Sequence, residues 1–281
     1  MIVVTGATGN VGRPLVAALA AAGEEVTAVS RTPRSHELPG GGRHVVADLA
    51  EPSTLRPAVE GADALFILPA GELLGGGAPA TEVLDAARAG GVRRVVLLSS
   101  QVTGTRPAAL SHGRLREFEG AVRSSGLDWT ILRPGGFASN AYAWAESVRA
   151  RRTVAAPFAD VALPVVDPAD IAEVAAVALR DEGHAGQTYE LTGPVALTPR
   201  EQARAFTEVL GEEVRFVELT REQAREHMAG FMPEPVVDGT LDILGEPLPA
   251  EQRVAPDVEK ILGRPAGPFT AWATRNAAAF R

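Results

Sequence analysis

Seven residues near the start of the chain restrict its fold more than any others. Gly6-Ala7-Thr8-Gly9-Asn10-Val11-Gly12 follows the β-branched apolar run Ile2-Val3-Val4-Thr5 and leads into a segment of helical period, with Pro14 near its first turn and Gly23 as its stop. A strand, a glycine-rich turn and a helix in direct succession make a cradle for an anion. Gly6 permits the tight turn, Gly9 lets the backbone approach a pyrophosphate, and Gly12 lets the helix pack closely on the strand. Free N–H groups and the positive end of the helix then face the ligand. Glycines at this spacing mean little alone; their place between a strand and a helix gives them weight.

Further strands are expected at residues 25–30, 43–47, 64–68, 94–99 and 130–133, with helices at 53–60, 80–90 and 113–125. Each strand is an almost unbroken apolar run and strands alternate with helices, the mark of a parallel sheet covered on both faces. Beyond Pro134 the rhythm changes. A helix is expected at 139–150, a strand at about 163–166, and a helix at 168–180 with Asp167 as its N-cap and Pro168 in its first position. Thr198-Pro199-Arg200-Glu201 reads as a capping box, 220–223 as the start of another helix, and 230–254, rich in Pro, Glu and Gly, has no strong period. The expected class is α/β: a doubly wound parallel Rossmann sheet with a smaller, mostly helical C-terminal substrate lobe. The sheet domain would span 1–138, with 161–194 returning to it, and the lobe 139–160 and 195–281.

The second strand ends Ala28-Val29-Ser30-Arg31. Folds of this type that bind NAD place an acid about 20 residues past the glycines to accept from the ribose 2′-OH. No acid stands here. Arg31 and Arg34 are instead placed to pair with a 2′-phosphate through charge-assisted bonds, with the Ser30 hydroxyl beside them. NADP(H) is the cofactor this implies. Asp48 and Leu49 follow the third strand, where they border the adenine or where Asp48 only caps the turn that follows.

Composition removes several other classes. The formal net charge is -8, so no large basic surface is available for nucleic acid. No cysteine is present, which excludes disulfides, thiolate metal sites and a cysteine nucleophile and suits a cytoplasmic protein. Met1 runs directly into an apolar strand without a signal-peptide pattern, and no apolar run is long enough for a membrane span. His36, His44 and His227 form no metal-ligand spacing with carboxylates, and no metal is expected. No Gly-x-Ser-x-Gly turn occurs, and Asp167 with Asp170 reads as a helix start rather than a catalytic carboxylate pair.

Residues 6–12, Ser99-Ser100, 119–137 (with Ser125-Gly126-Leu127-Asp128-Trp129-Thr130-Ile131-Leu132-Arg133-Pro134-Gly135), 167–172, 183–189, 191–194 and Trp272 occur in an order that resembles the NmrA-like branch of atypical short-chain dehydrogenase/reductases, over nearly the whole chain. The resemblance implies an NADP(H) site between sheet and lobe. It places Ser99 at that site, with Leu68, Pro69, Pro134, Gly135 and Phe137 flanking the nicotinamide. It also implies either reduction of quinones or enones, or redox sensing with little turnover. One departure bears on chemistry. Typical short-chain reductases use Tyr-x-x-x-Lys, in which the lysine lowers the tyrosine pKa and holds the ribose. Counting back from Glu119, the matching positions are Ser111 and Leu115, and the single lysine of the chain is Lys260. What remains for proton transfer is Ser100, Ser111 and His112, of which His112 either donates a proton or only caps a helix start. A pocket for a small-molecule substrate is expected around Phe137, Asn140, Tyr142 and Trp144, with Phe158 and Phe231 as further aromatic candidates, although such residues also serve as plain core. Three functions stay open: an NADPH-dependent reductase of an acceptor needing little acid assistance, a non-catalytic NADP(H) sensor, and a non-redox step of specialised metabolism. A monomer and a homodimer fit the sequence equally.

Overall fold

A computed structural model describes residues 1–33, 41–230 and 232–281. Arg34, His36 and Phe231 lie outside the described residues. Nine strands are described: β1 Ile2–Thr5, β2 Val26–Ser30, β3 Arg43–Val46, β4 Ala64–Ile67, β5 Arg94–Leu98, β6 Asp128–Pro134, β7 Thr153–Pro157, β8 Gln187–Leu191 and β9 Arg215–Leu219. The helices of the first half are α1 Gly12–Ala21, α2 Arg56–Val59, α3 Ala80–Ala89, α4 Val102–Thr105, α5 Gly113–Ser124 and α6 Ala145–Arg151. Those of the second half are α7 Pro168–Arg180, α8 Pro199–Leu210, α9 Arg221–Ala229, α10 Glu234–Gly245, α11 Pro249–Gln252, α12 Asp257–Leu262 and α13 Phe269–Arg275.

Seven strands form one sheet in the order β3-β2-β1-β4-β5-β6-β8, every pair parallel. The chain winds outward from β1 in one direction, then returns and winds outward from β4 in the other. Side chains alternate across the pleat, and both faces are buried. Val4, Phe66, Val96 and Leu132 pack on one face with Leu15 and Leu19 of α1 and Ile171 and Val174 of α7. Val3, Leu65, Val95 and Ile131 pack on the other with Val83 and Leu84 of α3 and Phe118 of α5. This double burial is why the strands read as continuous apolar runs.

The described second half departs from the sequence expectation in three places. Residues 163–166 form no strand, only isolated bridges from Leu163 to Leu197 and from Val166 to Phe137. The segment expected as one helix at 139–150 is a 3-10 turn, Ala138–Trp144, followed by α6. The lobe is not only helical: β7 and β9 pair in parallel across some sixty residues of chain, Thr153 opposite Arg215, and neither strand was expected. The caps behave as read. The Asp167 side chain accepts the Ala169 N–H at 2.9 Å, and Thr198 with Glu201 and Thr220 with Gln223 form reciprocal capping boxes. The aperiodic stretch 230–254 contains α10 and α11, and Val237 and Leu241 of α10 form a small cluster with Ala224 of α9.

Charged side chains tie the lobe to the sheet. Asp167 pairs with Arg275 of α13, and Asp170 accepts the Gly267 N–H at 2.7 Å and pairs with Arg264 at 2.9 Å. Glu251 of α11, only 2% exposed, receives Arg106 through two bonds of 2.8 and 2.9 Å and the Thr105 hydroxyl at 2.7 Å. The lobe is thereby fastened to the loop that follows β5. No helix among the described residues is long and apolar enough to cross a membrane.

Candidate active site

A cavity of about 450 Å³ opens at the carboxyl ends of β1 to β5, where the sheet order reverses between β1 and β4. Open parallel sheets bind ligands at this point because the loops after adjacent strands diverge there and leave a crevice. Thr5 holds the two strands together at its base: its hydroxyl donates to Phe66 O and accepts from the Leu68 N–H, both at 2.9 Å.

The glycine loop forms one wall. Gly6 sits at φ +62°, a conformation an L side chain rarely adopts, and a Cβ there would meet Leu68 at 3.2 Å. Gly12 lies underneath, where a Cβ would collide with Gly6 O and stand 2.7 Å from Ala7 Cα. Thr8, Gly9, Asn10 and Val11 face the cavity. Among the described residues, the backbone N–H groups of Thr8, Asn10 and Val11 have no acceptor, and Val11 caps α1 without a side-chain bond. Such unpaired donors at the start of a ten-residue helix fit a pyrophosphate.

The opposite end is lined by Ser30, Arg31, Asp48 and Leu49. The Arg31 guanidinium has no ion pair among the described residues and rests against Gly71, where a Cβ would stand 3.5 Å from Nη1. The Ser30 hydroxyl is already engaged, donating to Thr32 O at 2.8 Å and lying 2.8 Å from His44 Nε2. Asp48 does two things at once: it borders the cavity, and its Oδ1 accepts the Ala50 N–H at 2.9 Å to cap the next turn.

Leu68, Pro69, Ser99, Leu115 and Phe137 line the remaining wall. Ser99 donates 2.7 Å to Glu119 Oε1, and Glu119 is the centre of a buried cluster. Arg133 grips both carboxylate oxygens, at 2.9 and 2.6 Å, Arg123 adds a bond of 2.9 Å, and Thr103 Oγ1 lies 2.7 Å away. Burial pushes the Glu119 carboxyl up, but the bonds from Arg133, Ser99 and Thr103 outweigh it and hold the pKa at about 2.

Of the sequence candidates, thirteen therefore meet around one cavity: five on the glycine loop (Gly6 and Thr8 to Val11), four near Arg31, and Leu68, Pro69, Ser99 and Phe137. Others stand apart from it. Pro134 and Gly135 close the end of β6, Pro134 O accepting from Gln101 N and Gly135 N donating to Leu191 O, each at 2.9 Å. Ser100 Oγ accepts the Val102 N–H at 3.3 Å within a turn. Asn140 is exposed. Tyr142 donates to Asn276 Oδ1 at 2.6 Å and stacks on Phe280, and Trp144 packs beside it, so these aromatic residues belong to the core of the lobe.

Ser111 and His112 lie immediately before α5, beside the site. Ser111 Oγ is 2.9 Å from His112 Nδ1. Burial and the Arg116 charge push the His112 pKa below its ordinary 6.5, against a smaller opposing pull from Glu251, so the imidazole is neutral at pH 7. Leu115 of α5 reaches the cavity wall, and Ser111 stands in the short 3-10 turn Leu110–His112 before the helix. The Glu119 cluster and the lining role of Leu115 were not anticipated from sequence. The spacing 115, 119 was the available signal, since residues four apart share one side of a helix.

A family model described as NAD(P)H-binding matches residues 6–182, the stretch that builds this cavity. The chain belongs to that NAD(P)H-binding family. Its fold is that of the NmrA-like atypical short-chain reductases. A (4-alkanoyl-5-oxo-2,5-dihydrofuran-3-yl)methyl phosphate reductase from Streptomyces griseus is 39% identical over 284 residues, 100% of this chain and 99% of its own. An NAD(P)H azoreductase from Xenophilus azovorans is 34% identical over 286 residues, again 100% and 99%. An NADPH-dependent quinone oxidoreductase from Escherichia coli, solved with NADPH, covers 99% of this chain and 100% of its own with a TM-score of 0.81 at 24% identity, a likeness of fold. This member of the family is accordingly an NAD(P)H-dependent oxidoreductase of a small-molecule substrate.

Proposed function

We propose that the chain reduces a carbon–carbon double bond, or a quinone, whose reduced anion is spread over carbonyl groups. The observation that carries this reading is Leu115 on the cavity wall, the position that matches the lysine of the dyad. A Tyr-x-x-x-Lys dyad would supply a strong, lysine-tuned acid on this face. Here the helix offers the aliphatic Leu115, and the nearest hydroxyl and imidazole, Ser111 and the neutral His112, stand in the turn before α5, which suits an anion that needs little help. The S. griseus relative supports the choice. The name of its substrate describes a ring double bond whose C4 carries an alkanoyl group beside the ring carbonyl at C5, so the anion left after reduction would be a stabilised β-dicarbonyl enolate.

The bound cofactor supplies hydride from its reduced nicotinamide. The protein's part is to hold and orient it. The orphan N–H groups of Thr8, Asn10 and Val11 take the pyrophosphate, Arg31 takes the 2′-phosphate, and Asp48 and Leu49 border the adenine, while Leu68, Pro69 and Phe137 confine the nicotinamide end. The acceptor's β-carbon would take that hydride, its carbonyls the displaced π pair, and its α-carbon a proton. Ser111 Oγ–H delivers that proton, and His112, with Nδ1 protonated, replaces it from solvent.

NADPH consumption with a 4-acyl-5-oxo-2,5-dihydrofuran, a naphthoquinone and a simple dialkyl ketone tests the proposal. The first two should be reduced and the ketone left untouched. Reduction of the ketone alone would replace this chemistry with an acid-assisted one.

A further inference from the structure

Glu119 is a buried acid that takes no part in the reaction proposed above, and it decides what a neighbouring hydroxyl can offer the cofactor cavity. It is 2% exposed; burial works against its charge, yet the bonds from Arg133, Ser99 and Thr103 hold its pKa at about 2, so it is ionised across the neutral range. An ionised carboxylate accepts hydrogen bonds and donates none. Ser99 Oγ stands 2.7 Å from Glu119 Oε1, so the one Ser99 hydroxyl proton is committed to that oxygen.

A hydroxyl oxygen also carries two lone pairs, and those of Ser99 have no donor among the described residues. The hydroxyl beside it is Thr103, 3.5 Å away, and the single Thr103 proton is drawn to shorter contacts, Ser100 O at 2.6 Å and Glu119 Oε1 at 2.7 Å. Leu68, Pro69, Leu115 and Phe137, which share this wall of the cavity with Ser99, have no side-chain donor. The Ser99 N–H donates to Leu132 O at 2.8 Å and fastens the residue to β6. Ser99 thus borders the cavity as an acceptor that lacks a donor. Such a group cannot protonate a reacting carbon; it suits an N–H or O–H of a ligand.

We propose that Glu119 fixes the Ser99 hydroxyl as an acceptor, and that Ser99 Oγ receives a hydrogen bond from the nicotinamide riboside of the cofactor, from its carboxamide N–H₂ or from a ribose hydroxyl. The assignment rests on the cofactor orientation proposed above, with the nicotinamide end beside Leu68, Pro69 and Phe137. Those side chains confine the ring without directing its polar groups, and Ser99 supplies the direction. A carboxamide turned to present its oxygen would meet lone pairs instead of a proton. Glu119 is thereby a positioning residue that acts through Ser99, and Ser99 is no proton source for the acceptor.

Calorimetry measures binding of NADP+, of its 3-acetylpyridine analogue, in which a methyl group replaces the carboxamide N–H₂, and of adenosine 2′,5′-bisphosphate, which lacks the nicotinamide riboside. Ser99→Ala should weaken NADP+ about 2- to 10-fold, the range for one neutral hydrogen bond, and leave the bisphosphate unchanged. With the carboxamide as donor, the analogue should bind wild type and Ser99→Ala alike; with a ribose hydroxyl as donor, it should lose as much as NADP+. Unchanged binding of NADP+, or an equal loss for the bisphosphate, overturns the assignment. The double variant tests Glu119. In Glu119→Gln the amide can donate to Ser99 and free its proton, so adding Ser99→Ala there should weaken NADP+ by less than about twofold. The full wild-type loss in that background would show Ser99 acting without Glu119 and overturn the positioning role. Thermal unfolding establishes that each variant is folded at the temperature of the titration. Binding needs no turnover, so a failure to reduce any acceptor refutes the proposed reaction and leaves the Ser99 assignment standing.

Discussion

Replacing Glu119 with glutamine removes a charge without changing shape, at the point where Ser99, Thr103, Arg123 and Arg133 converge beneath the cofactor cavity. The carboxyl has an ordinary pKa of 4.5 and is held at about 2 in the folded protein. A depression of that size stabilises the fold by about 3.4 kcal/mol at pH 7, taking about 1.36 kcal/mol for each pH unit. The contribution is complete above the unfolded value of 4.5 and disappears as the pH falls through the folded value of about 2, leaving about 1.4 kcal/mol at pH 3. Glutamine does not titrate, and its amide would turn an N–H₂ group toward two arginines, one of them largely buried. Removing one partner of a buried ion pair costs about 3–5 kcal/mol, so both routes give a similar figure. Urea unfolding of wild type and Glu119→Gln at pH 7, 5, 4 and 3 measures it. The gap should be about 3 kcal/mol at pH 7 and narrow steadily toward pH 3. A gap below about 1 kcal/mol at pH 7, or one that is flat with pH, would show that charge does not hold this cluster together.

Three further outcomes can be checked directly. Arg31→Ala should weaken NADPH about 10- to 100-fold and NADH only slightly, as fluorescence titration would show; an equal loss for both would assign Arg31 to the scaffold. Gly12→Ala gains about 1 kcal/mol of helix propensity but puts a Cβ 2.7 Å from Ala7 Cα, a backbone atom that cannot swing aside. Overpacking of about 1–3 kcal/mol should win, with a lower midpoint in denaturant and weaker NADPH binding; a more stable variant would contradict the close approach. His112→Ala should lower kcat by about 10²-fold, the low end for proton transfer by a positioned side chain, with the NADPH dissociation constant nearly intact. Unchanged turnover would remove His112 from the proton path.

Much of the site was legible in the sequence because it is built from local constraints. The turn at Gly6 and the helix start after it need only the residues between 2 and 14, and the missing acid after β2 is a matter of one position. The N-caps at Asp167, Thr198 and Thr220 likewise depend on residues two or three apart, and each was read correctly. Less legible was what neighbours distant in the chain decide. Tyr142 and Trp144 have the composition of a substrate pocket, yet Trp272 and Phe280 arrive from the C-terminus and enclose Tyr142 in the core of the lobe. Residues 163–166 have the β-branched composition of a strand, but the edge of the sheet beside β6 is taken by β8.

The amino-acid order alone settled that this chain winds a parallel sheet around a glycine-rich turn, since short-range sterics suffice for it. Tertiary structure decided the rest. The pairing of β7 with β9 and the four donors that gather on Glu119 depend on where separate helices and strands come to lie. Such juxtapositions are fixed by packing of the whole core, which no window of neighbouring residues contains.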